Sequence, residues 1–518
     1  MASKTSVDRD GMFSGNRAER AIIDIGSNTV RLVVYGGASR APTVLFNEKV
    51  TARLGRAIAD TRALAPDAID LAMRGLRRFA LLLREWNVPH VDVVATAAVR
   101  EASNGTEFLD QVRALGFAPR LLTGGDEARI GAMGVIGAFP QADGIMADLG
   151  GGSLELAELS DGASGRNVSL PLGTLRLHDH RGADGADLAA NLAGMMAGVP
   201  FGADNTNALY LVGGTWRAMA VVAMMARDYP LSDPHGYHLP AEKVRRLVGR
   251  LAAMSPDDLA ANPRITSMRA AYLPDAGVLL GVLLDRLRPR HVVFSSWGLR
   301  EGVMTDALPD FARGQDPLLA GIGDFANSRG TPPLLATRIA AWTVGAATVL
   351  RDRGAGGAQD ASERLRLSAT MLALASMQIE PNLRTALAMD WALHKRWIDV
   401  SAAGRAMMAA TVAANKNECD LPDALRELTD EAQLEEAICW GLAIRLCRRL
   451  GGRSHALLNA SALYVEDERL ILRLEAEQRD LFGLPNEKDM ELLAARLKLT
   501  PELVLIDADD GADAAAIE

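Results

Sequence analysis

Residues Gly144–Leu159 read GIMADLGGGSLELAEL. An apolar run, Ile145-Met146-Ala147, ends at Asp148, and Gly150, Gly151, Gly152 and Ser153 follow. Alternation resumes through Leu154, Glu155 and Leu156. The pattern predicts strand, tight turn, strand: a β-hairpin with a glycine tip. Three glycines let backbone N–H groups converge on an anion without Cβ clashes. A carboxylate beside such a loop repels phosphate itself. Its chemical uses are to hold a cation that bridges to phosphate, or to orient a water. An ordinary glycine hairpin accounts for the same residues, because a glycine-rich loop alone is a weak motif.

A second copy adds weight. Arg20–Gly37 reads RAIIDIGSNTVRLVVYGG. Again an apolar strand (Ala21, Ile22, Ile23) ends at an aspartate, Asp24. A Gly26-Ser27-Asn28 turn follows, and Thr29–Tyr35 resumes as a strand. The two hairpins lie about one small domain apart. Two strand–Asp–Gly-turn–strand units predict duplicated halves facing each other across a cleft, with phosphate held between the turns.

These residues carry a resemblance. Asp24-Ile-Gly-Ser-Asn-Thr and Asp148-Leu-Gly-Gly-Gly-Ser look like the two phosphate motifs of the acetate kinase/sugar kinase/actin superfamily. The Ser-Asn-Thr after the first motif and the Gly-Gly-Ser-x-Glu-Leu of the second are similar to the exopolyphosphatase/guanosine pentaphosphate phosphohydrolase (Ppx/GppA) family. The resemblance runs from Ile22 to about Val303. It implies an α/β fold of two ribonuclease H-like (actin-like ATPase) βββαβα domains with an interdomain cleft, followed by an all-α C-terminal domain. The implied boundaries are a disordered tail 1–19, domain I 20–130, domain II 131–309, a helical domain 310–506 and an acidic disordered tail 507–518.

Composition sets limits. With 518 residues, 49% hydrophobic and 23% charged, the chain is long enough for several buried cores. A net charge of -9 argues against a generic nucleic-acid binder, while leaving room for a local basic groove. Cys419, Cys439 and Cys447 form no CxxC pair, which predicts a reduced, cytoplasmic setting without a disulfide framework. The first twenty residues are too polar for a signal peptide, and the apolar stretch Ile339–Leu350 is too short to span a bilayer, so no membrane partner is expected.

Along the chain, Thr43–Thr51 reads as a third strand and Pro66 opens a helix to about Trp86. Val91–Ala95 is a short buried strand, and Thr106 caps a helix ending near Gly116. Arg100 follows the Val91–Ala95 strand, where ligand loops sit. Residue type alone favours a surface ion pair with Glu101 or Glu107; the resemblance implies a phosphate contact, with Arg53 a weaker case. In Leu121-Leu-Thr-Gly-Gly-Asp126-Glu127-Ala128-Arg129 a strand turns into a helix running to about Ala138. Acidic residues there complement the helix dipole, or one of them serves as general base for a water. The family motif matches Glu127.

His178 and His180 read as surface histidines. Leu209–Val212, Gly213-Gly214 and a helix to Met225 form the next strand–turn–helix, with Arg217 in the first helical turn, a position that hints at a nearby anion. An apolar helix is expected over Pro274–Leu287 and a strand over His291–Ser295. Ser296-Trp-Gly-Leu-Arg-Glu-Gly302 resembles the family's closing segment, departing from it at Ser296 and Trp297. Beyond Asp310 the pattern predicts helices over 336–351, 361–377, 382–395, 402–414 and 431–450, with a loop at Gly354–Gly357. The family's histidine–aspartate set is absent from this region. Arg445, Arg448 and Arg449 share a helical face; with Lys395 and Arg396 they are either a solvated face or guides for a polyphosphate chain.

The resemblance therefore implies an exopolyphosphatase that releases terminal orthophosphate from inorganic polyphosphate. Glu127 acts on the water. Asp148 and Glu155, supported by Asp24, hold Mg²⁺ (or Mn²⁺, with a monovalent cation such as K⁺). Ser27, Asn28, Thr29, Gly151, Gly152, Ser153, Arg100, Arg53 and Gly214 hold phosphate. Guanosine pentaphosphate is the alternative substrate of the same site; a small-molecule kinase and a non-catalytic actin-like scaffold are readings of other classes. A homodimer is the expected assembly.

Overall fold

The structure, a computed structural model, describes residues 17–181, 188–202, 207–350 and 359–507. Most of both expected tails and the Gly354–Gly357 loop lie outside them. The chain divides into two compact units, Met1–Pro317 and Leu318–Glu518.

The first unit contains two sheets of the same plan. Strands β1 (Ala18–Ile25), β2 (Val30–Gly36), β3 (Thr43–Val50), β4 (His90–Ala95) and β5 (Pro119–Leu121) lie in the order β3-β2-β1-β4-β5. Strands β6 (Gly144–Leu149), β7 (Leu154–Ser160), β8 (Ala163–Leu170), β9 (Ala208–Val212), β10 (His238–Pro240) and β11 (His291–Ser295) lie in the order β10-β11-β9-β6-β7-β8. In each, the first strand pairs antiparallel with the second and parallel with the fourth. Setting aside the edge strand β10, the second sheet repeats the first. Asp24 and Asp148 occupy the same place in the two halves, one residue before the end of the central strand.

A central pair of helices fixes the geometry between the sheets. The helix Gly124–Ala138 packs Ala128, Ala132 and Met133 with Met146, Tyr210 and Val212 of the second sheet, while its Ile130 joins Ile22, Val33 and Tyr35 of the first. The helix Leu299–Asp306 adds Val303 and Met304 to that latter cluster. The two helices meet through glycine. A Cβ on Gly302 would lie 1.8 Å from the Ile130 carbonyl oxygen, and one on Gly134 2.1 Å from that of Gly298. Only glycine permits that approach. Gly302→Ala is therefore expected to destabilise the first unit by about 2 kcal/mol or more, read as a lowered thermal midpoint; an unchanged midpoint would mean that the helices can separate at no cost.

Several local expectations are corrected. The 105–114 helix is preceded by Asn104 at its N-cap, not opened by Thr106. Asn104 instead spends its side chain on the Leu64 amide and carbonyl, at 2.8 and 3.0 Å. The apolar helix begins at Ser267, and Pro274 lies inside it. That helix is long and apolar enough by composition to cross a membrane, but half of its apolar window is buried in the protein, where Leu279, Leu280, Leu283 and Leu284 form the core of the second lobe.

The second unit is helical around the helix Ala402–Ala414, buried from Gly404 onward, and the long helix Glu431–Leu450. It also carries strands missed in the sequence: β12 (Ser461–Glu466), β13 (Arg469–Glu475) and β14 (Thr500–Ile506), in that order in one sheet. The β12–β13 turn is Asp467-Glu468, both with positive φ (45° and 60°), so a hairpin forms without the glycine that normally announces one.

Candidate active site

The two Gly-rich turns are built alike. Gly26 N donates to Thr29 O and Gly150 N to Ser153 O, both at 3.0 Å. Neighbouring segments then bind the turn carbonyls. Arg53 N and Gly55 N donate to Asn28 O and Ser27 O (3.0 and 2.7 Å); Thr174 N and Leu175 N donate to Gly150 O and Gly151 O (3.0 and 2.9 Å). Among the described residues, the amides of Ser27, Asn28, Gly151 and Gly152 have no backbone acceptor. The turns also face each other closely: a Cβ on Gly152 would lie 2.8 Å from Ser27 Oγ, and one on Gly151 3.3 Å from Ser27 Cβ. Carbonyls tied back and amides left over make an anion-binding concavity.

Carboxylates gather beneath the turns, and the register explains their identity. The cross-strand neighbour of Asp24 is Arg31, whereas that of Asp148 is Glu155. The first lobe thus sets a cation beside its aspartate and the second sets two carboxyl groups side by side, each disfavouring the other's charge. Burial raises the pKa of Asp24, against the lowering influence of Arg300 and Arg31. Burial lifts Asp148 to about 6; Arg217 opposes this and Asp24 adds to it. Glu155 is fully enclosed and pushed well above the usual carboxylate range by burial, Glu127 and Asp148, while its Oε1 accepts from Ser169 Oγ at 2.8 Å.

Glu127 and Asp126 separate cleanly. Asp126 forms a capping box with Thr123, accepting from its Oγ1 at 2.6 Å, which holds its carboxyl below the ordinary value. Glu127 turns inward. Burial lifts it to about 7, partly offset by Arg100, and Asp148 and Asp24 raise it further. Arg100 Nη1 donates to Glu127 Oε2 at 3.2 Å and to the Leu122 carbonyl at 2.8 Å. Its partner is thus Glu127; Glu101 is taken by Arg176.

Gly213, with φ +121°, passes 2.6 Å from the Leu149 carbonyl by its would-be Cβ, and Gly214 lies against the Arg269 guanidinium. Arg53 is exposed and left-handed at φ 53°, a strained conformation that places its amide on the first turn. Arg217 acts on Asp148, in keeping with the hint from its helix position. Ser296 and Trp297 are buried scaffold: the Ser296 amide donates to His235 Nδ1, and Ser295 Oγ bonds the backbone of Trp297.

Arg300, Glu301, Tyr35 and Arg269 are not among the site residues expected from the sequence. Tyr35 Oη donates to Glu301 Oε1 at 2.8 Å across 266 residues, and the Gly298 amide donates to Glu301 Oε2 at 3.1 Å. Arg300 sits among these groups; burial pulls its pKa down, and Glu301, Tyr35, Asp24 and Asp148 together lift it above the ordinary value. The Leu-Arg-Glu-Gly of the closing segment was the available signal.

In the second unit, Arg445 and Arg449 both pair with Asp489, each at 2.9 Å, and Arg448 reaches Asn415. Lys395 lies over the Phe325 and Trp397 rings, and burial lowers its pKa. Arg396 is exposed. Asp489→Ala is expected to cost about 2–3 kcal/mol by leaving two sheltered guanidiniums without their carboxylate. Hydrogen exchange should show it as lost protection over 431–450, and unchanged protection would count against the pair.

Two duplicated βββαβα halves meeting at paired Asp–Gly turns define an actin-like, phosphate-handling fold. The chain belongs to the Ppx/GppA phosphatase family, whose model matches residues 33–311. A solved Ppx/GppA family member from Aquifex aeolicus shares the fold at a TM-score of 0.50, with 24% identity over 55% of this chain and 96% of that one. Exopolyphosphatase 1 of Mycobacterium leprae is 27% identical over 310 residues, 57% of this chain and 90% of that protein. Retrograde regulation protein 2 of Saccharomyces cerevisiae is 27% identical over 341 residues, and the chain spans only 58% of its length.

Proposed function

We propose that this protein is an exopolyphosphatase, hydrolysing the terminal phosphoanhydride bond of inorganic polyphosphate in the cytoplasm. The observation that carries the reading is Glu127: an inward carboxylate of pKa about 7, hydrogen-bonded to Arg100 and close to two facing anion-binding turns. A base poised near neutrality suits proton abstraction from water. The terminal phosphoryl group sits between the turns, held by the amides of Ser27, Asn28, Gly151 and Gly152. Water attacks in line, its proton passes to Glu127 Oε, and the bond to the leaving phosphate breaks; Arg100 offsets the charge that accumulates. Positioning and charge neutralisation supply the rate, as in phosphoryl transfer generally. The Exopolyphosphatase 1 relatives support this choice of substrate.

The oxygen-only donors of the cleft suit Mg²⁺ or Mn²⁺. Among the described residues no three His, Cys, Asp or Glu side chains close into a metal cage. The fit is therefore to a cation held by one or two carboxylates, Asp148 and Glu155 with Asp24 alongside, and otherwise by substrate oxygens and water. Asn28 Oδ1, in the first turn, is a further oxygen that is buried without a hydrogen-bond partner. Such a cation, when bound, neutralises phosphate charge.

The test is phosphate release by the purified chain with Mg²⁺ from long-chain polyphosphate and from guanosine pentaphosphate side by side. Faster release from polyphosphate is expected. Faster release from the nucleotide would move the substrate and keep the residues; release from neither would overturn the hydrolase reading.

A further inference from the structure

Behind the second sheet lies a cavity of about 440 Å³, between the C-terminal end of the helix Gly214–Met225 and the amphipathic helix Ala241–Ala252. Its lining has two chemistries. Ala223, Leu239 and Leu247 give a buried apolar floor. Arg227, Lys243, Arg246 and Arg250 give a cationic rim. The last three sit at i, i+3 and i+7 of one helix and so project from one face.

Little opposes this charge. Arg246 pairs with Glu242 at 3.3 Å, with both side chains largely exposed, an arrangement worth only a few tenths of a kcal/mol and readily given up to a ligand. Lys243 and Arg250 make no ion pair among the described residues. Four cations against one carboxylate would be a solvated face if the helix stood alone. Here they rim a concavity with the volume of a small-molecule site.

We propose that this cavity binds a nucleoside polyphosphate, at a place separate from the hydrolytic cleft. A bare polyphosphate would leave the apolar floor unused, and an apolar ligand would leave four cations unexplained. A planar base on a phosphate chain uses both: the floor takes the ring, arginine forks and stacks suit phosphate and base, and lysine supplies a point charge. The cavity lies at the far end of the helix whose first turn, with Gly214 and Arg217, sits at Asp148. Ala223 is nine residues from Gly214, about 13 Å along the helix. The inference rests on the second lobe alone and stands whatever the cleft hydrolyses.

The experiment is calorimetric titration of the full chain, without divalent cation, using adenosine triphosphate and inorganic tripolyphosphate as probes. Three proteins are compared: the parent, Lys243→Glu/Arg250→Glu, and Ala226→Trp, which fills the exposed mouth without changing charge. Both variants are expected to weaken adenosine triphosphate binding by about tenfold or more, equivalent to ~1.4 kcal/mol. Tripolyphosphate should bind the parent more weakly than the nucleotide does. Polyphosphate hydrolysis by both variants, with no nucleotide added, should stay near the parent rate. Unchanged nucleotide affinity in either variant would overturn the site. Equal affinity for the two probes, lost in parallel, would reduce it to a polyanion patch and overturn the nucleoside part. No nucleotide binding by the parent at millimolar concentration would overturn it outright.

Discussion

Glu127→Gln is expected to lower phosphate release from polyphosphate by about 10²–10⁴-fold, the range a positioned general base contributes. Substrate affinity should change little, since the amide keeps the size and Arg100 keeps its Leu122 carbonyl. The pH profile gives a second, independent reading. Glu127 has its pKa raised from 4.5 to about 7, chiefly by burial. The ionised form is the base, so parent activity should rise about tenfold per pH unit below 7 and level off above it. The glutamine variant should lose that limb and keep a flat residual rate. A variant with the parent rate, or with the parent limb intact, would assign the proton to another group. Glu155 is the nearest competitor, since burial and the neighbouring carboxylates raise its pKa as well; loss of the limb in the Glu127 variant is what separates the two.

The fold was legible because each half repeats one local sentence: apolar strand, aspartate, glycine turn, strand. The register of β1 with β2 and of β6 with β7 then follows from the turn, and both aspartates land at equivalent strand ends. The family motif pointed to Glu127 over Asp126, but residue type alone left two adjacent acids with no physical ground for choosing. Choosing between them needs the direction of each side chain, which the Thr123 capping box decides for Asp126. Arg300 and the Tyr35–Glu301 bond were not legible, because they join the first lobe to a segment 266 residues on. The bond from Ser169 to Glu155 is local but depends on the β7–β8 register, which a shift between Ala157 and Leu159 makes hard to count from the turn. The C-terminal sheet was hidden by its turn, where aspartate and glutamate take a conformation that pattern reading assigns to glycine or asparagine. Spacing put Arg445, Arg448 and Arg449 together on the 431–450 helix, but spacing does not disclose that Asp489 pairs with Arg445 and Arg449 while Arg448 turns to Asn415.

Asp148→Asn is expected to abolish most activity while making the free protein more stable, and the two effects have one cause. The Asp148 carboxyl has a folded-state pKa of about 6 against an ordinary value of 3.8, because burial and Asp24 disfavour its charge more than Arg217 and Arg300 favour it. Between those two values the folded state binds more protons than the unfolded one. Stability therefore falls as pH rises from about 4 to 6, and the full cost persists above 6. About two pH units correspond to ~3 kcal/mol at most, so a gain of about 1–3 kcal/mol is expected for the asparagine variant at pH 8, shrinking towards zero near pH 4. Thermal melts at pH 4.5 and pH 8, without divalent cation, measure it. Adding Mg²⁺ should narrow the gap at pH 8, since a ligand that binds the folded parent stabilises it by mass action. A variant no more stable than the parent at pH 8 would mean that Arg217 and Arg300 already neutralise the carboxylate. In that case the cleft carries no excess charge for a cation to relieve, and the metal reading of Asp148 falls with the stability prediction.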